Sequence, residues 1–212
     1  MVELTAEKAL IFRITHIDNV PWMLANGLHC CNSNCLDPSF RQIGNPDLID
    51  KLATRAVPIA PHGRLSDYVP FYFTPHTPML LNIRTGYSGV MKTPMPDIAV
   101  IVTSLHKAVE EGLKFVFTDR HAYVQTARFF RDIRELNEID WKLLRKRDFK
   151  RNPDDPGKCE RYQAEALIYK VVPVSALLGI ACHGPDQQER LKKEVSRLSL
   201  PTKVVVRQNW YF

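Results

Sequence analysis

Apolar positions in this chain come in short runs whose period changes from one run to the next. Ala9–Ile14 is apolar and rich in β-strand formers apart from Arg13, and predicts a first strand. Asp18 or Asn19 then caps a short helix over Val20–Ala25, stopped by Asn26-Gly27. Between residues 29 and 67, Pro, Gly, Asn and Asp interrupt every period. A stretch that long without regular structure is unusual in a compact domain and often belongs to a site. Tyr68–Phe73 reads as a strand, with Pro70 placing it near an edge or bulge. Pro78–Ile83 predicts a short helix, and Ile98–Thr103 a buried strand. Ser104 caps a helix through Glu111 that Gly112 ends, and Phe115–Thr118 is another strand.

The second half reads less evenly. A helical region is predicted from Tyr123 to Leu136, with a further short helix over Ile139–Arg147. Arg151–Lys158 is a turn-rich loop, from which a strand over Ala164–Val172 departs. Ile180–Cys182 is a strand, Pro185–Leu198 a helix with cations near its C-terminal end, and Lys203–Arg207 the final strand. Strands and helices mix without βαβ alternation, so the predicted class is α+β. No repeat or linker interrupts the chain, and one domain over 1–212 is the simplest organisation.

Composition narrows the class. Hydrophobic residues make up 45% and charged residues 25% of 212, the balance of a soluble globular protein. No apolar run approaches the ~18 residues of a spanning helix. Met1–Leu10 lacks the apolar core of an export signal, so a cytoplasmic protein without a membrane partner is expected. The formal charge of +6 suits a polyanionic partner without demonstrating one. Five cysteines with no export signal read as reduced thiols. Cys31 and Cys35 have a zinc-like spacing, but Cys159 and Cys182 form no second pair, so no metal is expected.

Phosphate-loop, dinucleotide, nucleophile-elbow and zinc-protease motifs are all absent. Glu165 is the most informative acid. It falls near the start of an apolar strand just after a polar loop, so it stands either at a strand mouth facing a cleft or on a solvent face. On an extended backbone Gln163 shares its face. Gln-x-Glu at a strand mouth is the local pattern of many mono-ADP-ribosyltransferases. Five longer segments make the likeness specific: Phe12–Leu28 (FRITHIDNVPWMLANGL), Ile43–Ile49 (IGNPDLI), Leu65–Pro75 (LSDYVPFYFTP), Phe117–Ala122 (FTDRHA) and Glu160–Leu167 (ERYQAEAL). In this order and spacing the chain resembles the DarT family over nearly its whole length.

That resemblance implies an ADP-ribosyltransferase fold, with split central β-sheets and surrounding helices. It implies a toxin that uses NAD to ADP-ribosylate a base in single-stranded DNA, and a macrodomain antitoxin, DarG, that removes the mark. Asp155-Pro-Gly-Lys158 ahead of Glu160–Glu165 is similar to the thymidine-modifying branch. Glu165 then becomes the carboxylate that stabilises positive charge developing at the ribose, while Gln163 orients the base or the loop. Arg13, Ile14, Thr15, His16, Trp22 and Leu28 fall where the family holds NAD, although unaided they also read as surface or core residues. A protonated thymine ring nitrogen is a poor nucleophile and needs help to lose its proton. The family position after Leu48-Ile-Asp-Lys51 usually carries an arginine that contacts NAD and aids this step. Here it is Leu52, which offers neither charge nor hydrogen bond, with Lys51 and Arg55 nearby. The chain is therefore expected to be attenuated or inactive, unless Lys51 or Arg55 substitutes.

Single-stranded DNA calls for cations and stacking aromatics. The candidates are His121, Tyr123, Arg147, Lys150, Arg151, Arg161 and Tyr162, with a solvated basic helix end as the plainer reading of the cations. Two other functions share these residues. One is a catalytically inactive single-stranded-DNA-binding protein, and the other is a transferase acting on RNA.

Overall fold

A computed structural model describes residues 3–45 and 51–212. Residues 46–50 lie outside the described residues, and with them most of the Ile43–Ile49 segment and the start of Leu48–Lys51.

The strands are β1 (Leu10–His16), β2 (Leu28–His29), β3 (Tyr68–Tyr72), β4 (Ile98–Ser104), β5 (Phe115–Thr118), β6 (Phe129–Phe130), β7 (Glu165–Tyr169), β8 (Val171–Val172), β9 (Gly179–Cys182) and β10 (Lys203–Val206). The helices are α1 (Val20–Asn26), α2 (Pro78–Thr85), α3 (Leu105–Glu110), α4 (Trp141–Lys146), α5 (Lys158–Arg161) and α6 (Pro185–Arg197). Eight strands form one mixed sheet in the order β10-β9-β4-β1-β3-β7-β5-β6, while β2 and β8 pair separately. The α+β reading holds.

The centre of the sheet is built from the most apolar runs. Ile98, Ala99, Val100 and Ile101 of β4 are fully buried, as are Phe12 and Phe71. The Phe73 ring meets Phe117 and Trp141 edge-on, and Phe12 meets Trp210 in the same way. Gly27, at φ 84°, ends α1, and a Cβ there would lie 2.8 Å from the Val172 carbonyl oxygen. Glycine thus lets the chain turn straight from α1 into the β2–β8 pair.

Three sequence expectations need correction. The predicted helix over Tyr123–Leu136 is absent. Turns lead into β6, which pairs with β5 (Phe117↔Phe130, Thr118↔Phe129), and a 3-10 helix follows over Ile133–Glu138. Pairing with β5 and stacking of Phe130 on Phe117 at 5.2 Å override a local pattern suited to either state. The predicted Ala164–Val172 strand begins at Glu165, because α5 precedes it, and it breaks at Lys170. Lys170 has φ 63°, which turns the chain from β7 into β8. Pro70 is not at the outer edge of the sheet, since β3 lies between β1 and β7.

Candidate active-site cleft

The sheet has a seam. β1 pairs with β4 along its whole length, and β3 pairs with β7 from Tyr68↔Tyr169 to Tyr72↔Glu165. Between β1 and β3 the register holds one pair, Phe12↔Tyr72. Pro70 has no N–H to offer across this gap. Its carbonyl instead accepts from Arg13 Nη1 at 3.0 Å. The proline therefore marks an interruption inside the sheet rather than its outer edge, and among the described residues no strand pairs with the seam side of β1 beyond Phe12.

Arg13, Tyr72 and Glu165 gather at this seam. Arg13 Nε is buried with no hydrogen-bond partner. Burial lowers the Arg13 pKa, partly opposed by Tyr72 and Cys31. Burial also pushes the Tyr72 hydroxyl well up; the Glu165 charge adds to this and Arg13 opposes it. Tyr72 was not singled out from the sequence. Its signal is the register Tyr72↔Glu165, a long-range pairing that puts the two side chains on one face of the ladder.

Glu165 is 5% exposed and opens β7. Its Oε2 accepts from the Ala122 amide at 2.8 Å, and His121 Nδ1 lies 3.8 Å away. The Glu165 amide donates to Thr118 Oγ1 at 3.3 Å, and that hydroxyl donates to the Arg120 carbonyl at 2.6 Å. His121 Nδ1 accepts from the Tyr123 amide at 3.2 Å, so the neutral ring carries its proton on Nε2. Gln163 does not share the Glu165 face through an extended backbone. It lies in a turn behind α5, and its Nε2 donates to the Cys159 carbonyl at 3.1 Å.

On the other flank, His16 caps the turn Ile17–Asn19, with Nδ1 accepting from the Asp18 amide. Thr15 Oγ1 accepts from Asn19 Nδ2, and Asn19 also bonds both backbone polar groups of Arg41. Asn19 therefore fastens the long irregular segment to β1 rather than capping α1 through its side chain. Ile14 pairs with Val100 of β4. Leu28 is buried in β2, and the half-buried Trp22 ring meets His29 edge-on at 5.7 Å. The irregular segment is also held from the β7 side. Asp67 accepts from Arg64 N, Asn32 Nδ2 and Lys170 Nζ.

Leu52 lies in a helical stretch, 51–54. It packs half-buried against a small cluster of Val57, Leu65, Tyr68, Val116, Ala122 and Leu167. Position 52 therefore abuts the group that contains Ala122, the donor to Glu165. One turn on, Arg55 donates its amide to the Leu52 carbonyl, and its own Nε is buried without a partner.

The basic candidates divide. Lys150 and Arg151 are exposed, Tyr123 is 40% exposed, and Arg147 is exposed with one bond to the Asn209 carbonyl. Arg161 is engaged by Asp155 and Asp140, so its charge is already spent. Tyr162 is fully buried; its hydroxyl accepts from the Asp148 amide and its ring packs on Phe149. An aromatic with no exposed face cannot stack on a base, which corrects that expectation. The sequence reading also passed over Tyr87 and Met91, 66% and 71% exposed, in the loop that joins α2 to β4. Among the described residues no three His, Cys, Asp or Glu side chains could hold a metal ion, and all five cysteines are free.

Residues 12–212 match the family model described as "ssDNA thymidine ADP-ribosyltransferase, DarT". A DNA ADP-ribosyl transferase of Escherichia coli O127:H6 is 46% identical over 209 residues, covering 99% of this chain and 96% of that one. A Thermus sp. 2.9 DarT solved with ADP-ribosylated single-stranded DNA superposes with a TM-score of 0.90 at 33% identity, covering both chains fully. The same Thermus protein solved with NAD+ gives 0.81 at 34% identity over 97% of this chain and 98% of that one. With its family model spanning nearly the whole sequence and its fold retained at full length, the chain belongs to the DarT family.

Proposed function

We propose that this chain transfers ADP-ribose from NAD to thymidine in single-stranded DNA, releasing nicotinamide. It would do so as one domain over residues 1–212, in the cytoplasm, under the control of a macrodomain antitoxin of the DarG kind. One observation carries the reading: a buried carboxylate aimed by a backbone N–H stands across a seam from an arginine whose Nε–H has no acceptor. An unsatisfied buried donor is costly unless a ligand completes it. Arg13 and the unpaired edge of β1 fit an NAD molecule, offering donors and acceptors where protein partners are missing. Ile14, Thr15, His16, Trp22 and Leu28 line the same flank in this reading.

NAD supplies an activated bond between nicotinamide and ribose. Glu165 contributes negative charge where positive charge grows as that bond lengthens. The Ala122 N–H holds this carboxylate in place, so little reorganisation is needed when charge develops. Tyr72 stands beside Glu165 on the same face of the β3–β7 ladder. Gln163 acts through the turn it bonds to rather than at the base. His121 offers its Nε2–H, and Tyr123 its exposed ring, to the incoming base. Arg147, Lys150 and Arg151 track the phosphates, so binding weakens steeply with salt. Leu52 replaces a cation with an apolar side chain beside the Ala122 cluster, which leaves the base proton without its usual helper and lowers turnover.

The test incubates the protein with labelled NAD and single-stranded oligonucleotides, some lacking thymine, beside Glu165→Ala. Label confined to thymine-containing DNA, falling by at least about a hundredfold in the variant, is expected. Label on thymine-free DNA overturns the base assignment. Bound oligonucleotide with no label from either protein favours the second reading, an inactive DNA-binding protein, for which Leu52 is the specific support.

A further inference from the structure

The loop that delivers Ala122 to Glu165 spans residues 119–128, between β5 and β6. Its neck is closed by one side chain. Asp119 is 3% exposed, and its carboxylate reaches the far end of the loop. Oδ1 accepts from the Arg128 amide at 3.1 Å and Oδ2 from Arg128 Nε at 3.1 Å. Arg120 adds Nε and Nη2 at 3.4 and 3.3 Å. Each arginine is held in turn by a second acid. Arg128 Nη2 reaches Glu138 at 2.7 Å, and Arg120 Nη1 lies 3.8 Å from Glu160. The His121 amide donates to the Glu160 carbonyl, anchoring the loop to α5. Burial alone would raise the Asp119 pKa, but the Arg128 amide and the two guanidinium groups outweigh it and keep the carboxyl low.

Among the described residues no side chain of this cluster bonds the Glu165 carboxylate directly, yet together they fix the backbone on either side of Ala122. We infer that Asp119, with Arg120 and Arg128, is a positioning cluster that sets the Ala122 N–H against Glu165, and so aims the reactive carboxylate without bonding it directly. A buried charge is chosen over an apolar plug because its bonds are directional. The same geometry makes the loop fragile. Removing either arginine leaves the buried Asp119 carboxylate short of a partner.

The catalytic meaning of the cluster rests on the proposed transferase reading, so the experiment separates the two. Backbone amide hydrogen exchange is followed residue by residue in the full chain, for wild type, Asp119→Asn and Arg128→Gln. Arg128→Gln disturbs a side chain that is 58% exposed, and serves if Asp119→Asn does not fold. The expected result is exchange at Ala122 at least about tenfold faster, with the β5 amides Phe115–Thr118 unchanged. Unchanged exchange at Ala122 overturns the proposal. A uniform rise across β5 and β7 overturns it too, because the cluster then stabilises the sheet as a whole. The same variants are assayed with labelled NAD and DNA, where kcat is expected to fall about tenfold with KM for NAD unchanged. A drop confined to KM would overturn the link to Glu165. If wild type transfers nothing, the transferase reading fails, while the exchange result still decides whether the cluster holds Ala122.

Discussion

The two walls of the seam are finished to different degrees. On the β7 wall Glu165 is held by protein partners on both its side chain and its backbone. Its carboxylate takes the Ala122 amide, its own amide takes Thr118, and the loop above it is closed by Asp119. On the β1 wall Arg13 keeps one buried nitrogen without an acceptor, and among the described residues the strand edge beyond Phe12 has no partner strand. In the proposed reaction the contrast would separate two tasks. A group that acts on developing charge gains from being fixed before reaction. A group that captures a ligand gains from being incomplete until the ligand arrives.

The largest expected effect comes from restoring charge on the finished wall. Leu52→Arg should raise DNA modification by roughly a hundredfold, the scale of a well-placed proton-transfer partner. Unchanged turnover in a quantitative labelling assay would place the missing function elsewhere, with Arg55 as the first candidate. A smaller effect is expected on the unfinished wall. Arg13→Met should raise KM for NAD by about tenfold, the value of one lost charged hydrogen bond. Its melting temperature should stay within about 2 °C of wild type, because the lost bond to Pro70 is offset by removal of an orphaned donor. A large fall in melting temperature would show that Arg13 is structural.

The smallest catalytic effect should come from the stitch behind both walls. The Lys170 ammonium, the Arg64 amide and the Asn32 amide group hold the Asp67 carboxyl at about 2. A carboxyl depressed on folding adds stability that is complete above its unfolded pKa near ~4 and is lost as pH falls through about 2. Asp67→Asn should therefore lower stability at neutral pH and flatten the acid limb between those values, with little change in kcat. Denaturant melts across that range would measure it.

The strands were legible where β-branched runs are long, as in Ile98–Ser104, because local propensity and burial agree there. The stretch 123–136 was misread because its partner, β5, is chosen through space and not by spacing. Glu165 was legible as an acid ahead of an apolar run. Tyr72 was not, since only the β3–β7 register brings it opposite that acid. Gln163 and Tyr162 were misplaced for one shared reason. The short helix α5 rotates the chain just before β7, and a four-residue helix leaves almost no periodic trace.

The single Phe12↔Tyr72 pair also bears on how such a protein can change over generations. In a continuous sheet a slip of one residue passes from strand to strand and turns every side chain over. Here a slip in β3 and β7 would reach β1 through one pair only. The β7 flank with Glu165 and the β1 flank with Arg13 can thus accumulate substitutions as nearly separate units. New target preferences could arise on one side without unsettling the other.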